Sequence, residues 1–194
     1  MLYTVSIIAV VILAITSTFL LFSTRWRWSL IALAVQYMAV FWLVGLVWSV
    51  PMATVKLVVG WMVTAVIGAS QPGQGFTQEK FPGIPGVLIR LLSVGMVIML
   101  VFSLSPAVAR IFQTGLVLVW GGLILAVVGL LQLGLGTHVS RVMLGLFTLL
   151  AGFEILYASV ETSVLVAGLL AVLNLGLALV GAYLLEAPTM EVNQ

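Results

Sequence analysis

The chain has 194 residues, of which 63% are hydrophobic and 6% are charged, and its net charge is +2. A soluble domain carries about 25% charged residues, so these values, with a mean hydropathy of +1.35, predict an all-α, polytopic integral membrane protein and argue against a nucleic-acid-binding one. The absence of Cys and Asp, with His138 as the single His, argues against disulfides, a metal site, a nucleophilic triad and any bound cofactor.

Seven stretches are long and apolar enough to cross a bilayer, which takes about 20 residues. The count is bounded between six and eight, because the turns at Pro51 and Ser159 have almost no loop. The first stretch lacks the basic start and the cleavage site of a signal peptide, so we expect it to be retained as a helix. The predicted spans are 3–23, 28–49, 52–70, 87–104, 112–135, 140–158 and 161–185.

The long polar connection is residues 71–86, QPGQGFTQEKFPGIPG, whose glycines and prolines argue against a regular helix. It divides a single membrane domain into a three-helix part, 1–70, and a four-helix part, 87–186, followed by a tail at 187–194.

Basic residues are distributed unequally between the two ends of the predicted helices. Arg110 lies alone at one end, and the other end carries Arg25, Arg27, Lys80, Arg90, Arg141 and His138. The positive-inside rule therefore predicts a cytoplasmic 71–86 loop and C-terminus and an outside N-terminus. The predicted location is a prokaryotic cytoplasmic membrane, or a thylakoid.

Small residues recur every seven positions on the last three segments. Such spacing keeps them on one face of a left-handed helix pair, and it predicts that segments five to seven form a tight bundle. The alternative is that apolar helices contain many glycines by chance. The residues are Gly115, Gly122, Gly129 and Gly136 on the fifth segment, Gly145, Gly152 and Ser159 on the sixth, and Ala167, Asn174 and Gly181 on the seventh.

Three ionisable residues fall inside predicted spans: Lys56, Glu154 and Glu161. Such residues usually face a bundle interior, a partner or a water cavity. Lys56 lies roughly 7–8 Å and Glu154 roughly 6 Å from the outer helix ends. Glu161 lies almost at the surface, where Ser159 as N-cap and a carboxylate in the first turn predict a helix start.

Each deep charge has more than one interpretation. Lys56 can extend its ammonium to the outer interface. Glu154 can form a structural ion pair with Lys56, be a protonated acid bonded to Tyr157, or act in a proton or cation relay. Glu154 lies about 200° around the helix from Gly152, so it faces a different helix, a cavity or another protein. The amides of Gln36, Gln132 and Asn174 are expected to join helices rather than to bind ions.

Two stretches resemble a known family. PMATVKLVVGWMV, at 51–63, resembles the lysine-bearing helix of the E-type membrane component of multisubunit hydrogenases. Residues 145–185 resemble the last two helices of that component, which are similar to the K-type subunit of respiratory complex I and the C subunit of Mrp-type sodium/proton antiporters. The resemblance implies a few-helix subunit beside large antiporter-like subunits, with intramembrane glutamates in a polar axis for protons.

The chain departs from the pattern of that family at several acids. Leu150-Ala151-Gly152 stands where the hydrogenase component usually has Glu-Asn-Gly, and acids expected in the last helix fall near Ala167 and Asn174. Lys56 matches the pattern, whereas Glu154 and Glu161 are either displaced equivalents or unrelated.

The leading hypothesis is a non-catalytic membrane subunit of a multisubunit proton- or sodium-translocating complex. It would contact the lipid bilayer and larger antiporter-like or redox subunits, so that a redox-driven pump is one such complex, and it would not be an enzyme by itself. The alternatives are a stand-alone or homo-oligomeric small transporter or channel, and a purely structural assembly subunit.

Overall fold

A computed structural model of the chain describes residues 2–70, 83–136 and 138–186. Every regular element in these ranges is an α-helix, and all seven helices are long and apolar enough to cross a membrane. The predicted seven-helix membrane architecture is confirmed to this extent. The helices are α1 (Leu2–Phe22), α2 (Trp26–Val44), α3 (Val50–Ala69), α4 (Ile84–Phe112), α5 (Leu116–Leu135), α6 (Val139–Ala158) and α7 (Val164–Glu186).

The fourth helix is longer than predicted at both ends. It begins at Ile84, inside the predicted 71–86 loop, with a proline in its first turn, where the missing N–H costs nothing. It then continues through Pro106 to Phe112, because ending a helix in lipid would expose unbonded backbone groups. The rest of the predicted loop, 71–82, and the tail, 187–194, lie outside the described residues.

The closest packing in the bundle is between α5 and α6. A Cβ built on Gly129 would lie 2.5 Å from the backbone nitrogen of Leu149 and 2.9 Å from the carbonyl oxygen of Gly145. A Cβ on Gly152 would meet the backbone nitrogen of Ala126, and it would lie 2.7 Å from the Gly122 carbonyl oxygen. The glycines therefore bring the two backbones into direct contact, as lipid-embedded helices require where no water drives them together.

Other predicted packing positions behave differently. Gly115 is the N-cap of α5, and a Cβ there would meet no atom within 4 Å, so its predicted packing role is wrong. Gly136 ends α5 and faces the start of α6, where a Cβ on this glycine would lie 3.4 Å from the Arg141 Cβ. Gly181 on α7 lies against the sulfur of Met143 on α6, which a Cβ would approach to 2.8 Å.

The predicted tight bundle of segments five to seven is also wrong for the seventh helix. α7 packs chiefly against α3 and makes a smaller contact with α6. The fully buried residues of α7 are Asn174, Ala178 and Gly181, while Leu175, Leu177 and Leu185 are partly buried against the core and many of its other side chains point outward. α3 lies between α2 and α7, and α4 packs mainly on α5.

Replacing Gly152 with Ala should destabilise the α5–α6 contact. The new methyl group would meet backbone atoms of α5, which cannot rotate away, so we expect a loss of about 1–3 kcal/mol in the free energy of unfolding in detergent micelles. Gly176→Ala on α7 is the matched control, because a Cβ there meets no atom within 4 Å, and the better helix propensity of Ala should leave stability equal or higher. Equal stability of the two variants would contradict the close approach.

The absence of native Cys allows the predicted orientation to be measured directly. Thr24→Cys lies in the turn between α1 and α2, and Thr114→Cys lies in the turn between α4 and α5. Because three spans separate the two turns, a membrane-impermeant thiol reagent applied to intact cells should label Thr114→Cys and not Thr24→Cys. Labelling of Thr24→Cys but not of Thr114→Cys would show that the orientation is opposite to the predicted one.

Candidate functional site

The structure brings Lys56 and Glu154 together as an ion pair inside the bundle. The Lys56 ammonium on α3 contacts Glu154 Oε1 on α6, and the two residues are only 6% and 2% exposed. Asn174 on α7 donates its Nδ2 to the same carboxylate oxygen at 2.6 Å, and also to the Leu170 carbonyl oxygen at 2.9 Å. One carboxylate oxygen therefore connects three helices.

The positions of these residues along their helices explain why they meet. Lys56 follows the start of α3 at Val50 by about 9 Å, and Glu154 precedes the end of α6 at Ala158 by about 6 Å. Both therefore lie near the predicted outer end. Asn174 is nearer the middle of α7, but side chains lean toward the N-terminus of their helix, so Glu154 leans inward while Asn174 leans outward.

Tyr37 on α2 is a neighbour of this pair that the sequence analysis did not identify. Tyr37 is 2% exposed, and its ring lies against Gly60 on α3. Gly60, one turn beyond Lys56, makes room for it, because a Cβ at Gly60 would overlap the Tyr37 ring. No local pattern in the sequence could have shown this contact, since it depends on how α2 lies against α3.

Several buried polar atoms in this region have no hydrogen-bond partner in the part of the chain that the structure describes. A buried polar group without a partner typically costs about 1–3 kcal/mol. Such atoms are uncommon in native proteins, and a bound water, an ion or a role in proton transfer can account for them. The atoms are Glu154 Oε2, Asn174 Oδ1 and the Tyr37 hydroxyl oxygen, and both amide atoms of Gln36, the residue before Tyr37 on α2, are also buried without a partner.

The three intramembrane amides behave differently from one another. Gln132 joins helices as predicted, because its Nε2 donates to the Ser17 carbonyl oxygen at 3.1 Å and ties α5 to α1. Asn174 joins α7 to α6 through Glu154. Gln36 joins nothing among the described residues, although it is fully buried. Tyr157, the other predicted partner of Glu154, instead stacks on Phe153.

Glu161 lies apart from the buried pair, in the exposed turn between α6 and α7. Its Oε1 accepts hydrogen bonds from the backbone nitrogens of Thr162 at 3.1 Å and Ser163 at 3.0 Å. The prediction that Ser159 caps a helix holding Glu161 in its first turn is wrong, since Ser159 ends α6 and α7 begins at Val164. Glu161 instead satisfies backbone donors just before α7.

A cleft of about 100 Å³ opens beside Lys56, between the first turns of α3 and α7. Its walls are almost entirely apolar, and Lys56 is the charged residue in it. The cleft places the buried pair next to a gap at the predicted outer end of the bundle. Its lining residues are Trp48, Met52, Val55, Lys56, Val164, Ala167, Gly168 and Ala171.

The donor set limits the chemistry that this site can perform. The described residues contain no group of three His, Cys, Asp or Glu side chains that could hold a metal ion. What the site offers is one carboxylate with a bound and an unbound oxygen, beside a lysine ammonium. In such a pair the Glu154 carboxylate can take up and release a proton, or it can bind another cation in place of the Lys56 ammonium.

Comparisons with protein-family models, with curated proteins and with solved structures give no match. The family resemblance of the third and last two helices therefore stays a hypothesis.

A double-mutant cycle should show how strongly the two charges depend on each other. Lys56→Met and Glu154→Gln each leave one partner uncompensated in the bundle, so we expect each single variant to lose about 3–5 kcal/mol in the free energy of unfolding. The double variant has no buried charge and should be more stable than either single variant. Unfolding in mixed micelles measures all three, and additive losses would contradict the pairing.

Proposed function

We propose that this chain is a non-catalytic subunit of a larger membrane complex that translocates protons or sodium ions, and that Glu154 and Lys56 are its ion-handling groups. The observation that carries the proposal is the buried ion pair near the predicted outer end of the bundle, bonded by Asn174 and neighboured by polar atoms without protein partners among the described residues.

The cost of this arrangement supports a functional role. Charged residues inside a membrane are expensive, and replacing a buried ion pair with apolar residues is often neutral or stabilising. Packing alone would be achieved at lower cost by Leu or Met at positions 56 and 154. A pair that can separate when Glu154 takes up a proton gives a reason for keeping the charges.

The surface of the bundle supports a place beside other subunits. In the most apolar 18-residue stretch of each helix, the buried share is 11% for α4 and 17% for α7. The buried share is 33–50% for the other five helices. The two helices therefore present long apolar faces outward, which are suited to lipid and to the helices of larger membrane subunits.

The depth of the pair favours a subunit over a stand-alone transporter. A single-chain pathway needs polar groups from one face of the membrane to the other, whereas Lys56 and Glu154 both lie near one end. A second chain would have to supply the other half of the path. A purely structural pair remains the main competitor, and activity per assembled complex separates the two.

Gentle solubilisation of native membranes followed by affinity purification tests the subunit proposal. We expect the chain to be recovered with larger antiporter-like or redox membrane subunits. Recovery as a monomer or homo-oligomer would contradict the subunit proposal and favour a small transporter.

Glu154→Gln tests the ion-handling role within the recovered complex. The amide keeps the shape of the side chain but loses its charge and its exchangeable proton, so we expect translocation per assembled complex to fall by about tenfold or more. Glu161→Gln is the matched control, because Glu161 is exposed and its carboxylate accepts hydrogen bonds only from neighbouring backbone nitrogens among the described residues. Reduced yield with normal activity per complex would instead show a structural pair.

A further inference from the structure

Two arginines from different helices meet at the C-terminal end of α1. Arg90, in the second turn of α4, donates its Nη1 to the Leu21 carbonyl oxygen at 3.2 Å. Arg141, in the first turn of α6, donates its Nη1 to the same oxygen at 3.1 Å, and its Nη2 lies 3.5 Å from the Ser23 carbonyl oxygen. The two guanidinium groups are thus neighbours around one acceptor, and both make further interactions.

The turn between α1 and α2 adds two more arginines at the same end of the bundle. Arg25 ends this turn and Arg27 lies in the first turn of α2, and both are exposed. Ser23 holds the turn, since its hydroxyl donates to the Arg25 carbonyl oxygen at 3.3 Å and accepts from the Ser29 hydroxyl at 2.9 Å. We call Arg25, Arg27, Arg90 and Arg141 the arginine cluster.

The arginine cluster concentrates positive charge at one level of the molecule. Successive helices run in opposite directions, so α7 ends at the same end of the bundle as α1. Among the described residues the acid at this end is Glu186, the exposed last residue of α7. Four arginines thus face one described carboxylate there. The cluster also lies at helix ends, next to Trp26 and Trp28, which is the level of the bilayer interface.

Apolar surface lies directly beside this charge. Leu88, Ile89, Leu91 and Leu92 surround Arg90 in sequence, and all four are at least 56% exposed on α4. A ligand with a phosphate head and hydrocarbon tails fits both features at once. Guanidinium groups bind phosphate oxygens in a planar, two-pronged geometry, and basic pockets between transmembrane helices bind acidic lipid head groups.

We propose that the arginine cluster binds the phosphate of an anionic phospholipid, with its acyl chains lying along the first turns of α4. The proposal is independent of ion translocation, because the cluster lies at the opposite end of the bundle from Lys56 and Glu154. It assigns a second role to arginines that also hold α4 and α6 to the end of α1.

Native mass spectrometry of the purified chain tests this site. Micelles carrying equal amounts of phosphatidylglycerol and phosphatidylcholine provide the probe. We expect the wild-type chain to retain phosphatidylglycerol preferentially, and Arg90→Gln/Arg141→Gln to lower that preference by roughly tenfold. Arg110→Gln is the matched control, because Arg110 lies near the other end of α4 and its Nε donates to the Pro106 carbonyl oxygen of the same helix at 3.1 Å.

A lysine variant and a competition experiment complete the test. If the glutamine variant does not fold, Arg90→Lys/Arg141→Lys keeps the charges but not the planar fork, and it should reduce the preference while preserving the bundle. If millimolar inorganic phosphate displaces the bound lipid and the chain does not select between the two lipids, the cluster is a site for free anions. That result would overturn the lipid proposal. Equal retention of both lipids by the wild-type chain, or an equal loss in Arg110→Gln, would overturn it as well.

Discussion

Glu154 can carry a charge inside the bundle only because Lys56 and Asn174 meet it there. An unpaired carboxylate in a low-dielectric interior would be far too costly. This one oxygen therefore links α3 and α7 to α6, since each of the two helices supplies a donor to it. α7 has three fully buried residues, Asn174, Ala178 and Gly181, so the polar contact adds to the apolar packing of its partly buried residues.

The sixth helix joins two different kinds of contact. On one face, Gly145 and Gly152 let its backbone touch that of α5, a contact driven by close packing because lipid offers no hydrophobic gain between helices. On another face, Glu154 holds α3 and α7. The rotation of about 200° between positions 152 and 154 separates these faces. Because α6 is a continuous helix, a substitution that moves it at the α5 contact is also expected to move Glu154 relative to α3 and α7.

Hydropathy was sufficient to locate all seven helices, because a membrane span must be apolar along its length and bond its own backbone. The same rule explains why α4 continues through Pro106 to Phe112, beyond its predicted end at residue 104. A proline that would end a helix in water can lie within a helix in lipid. Matching depth made Lys56 a candidate partner of Glu154. The roles of Asn174 and Tyr37 at this site were not predictable, because they depend on which helices lie side by side.

The start of α7 shows a second limit of local patterns. Ser159 and Glu161 have the residue types of a helix start, yet the same types suit a turn in which a carboxylate bonds two backbone nitrogens. Which of the two forms depends on the length needed to bring Asn174 level with Glu154. In this chain the turn forms, α7 begins at Val164, and Asn174 lies within hydrogen-bond distance of Glu154.

The location of the pair also limits how an ion could cross the bundle. Some polar side chains of the bundle have hydrogen bonds that are already used. Gln132 donates to Ser17, and the Thr148 hydroxyl donates to the Leu144 carbonyl oxygen at 2.8 Å. At the far end an ion would meet the positive charge of the arginine cluster, which repels cations. If Glu154 handles a proton or sodium ion, we therefore expect the onward path to use the buried polar atoms of Tyr37 and Gln36, which have no partner among the described residues, or a neighbouring subunit.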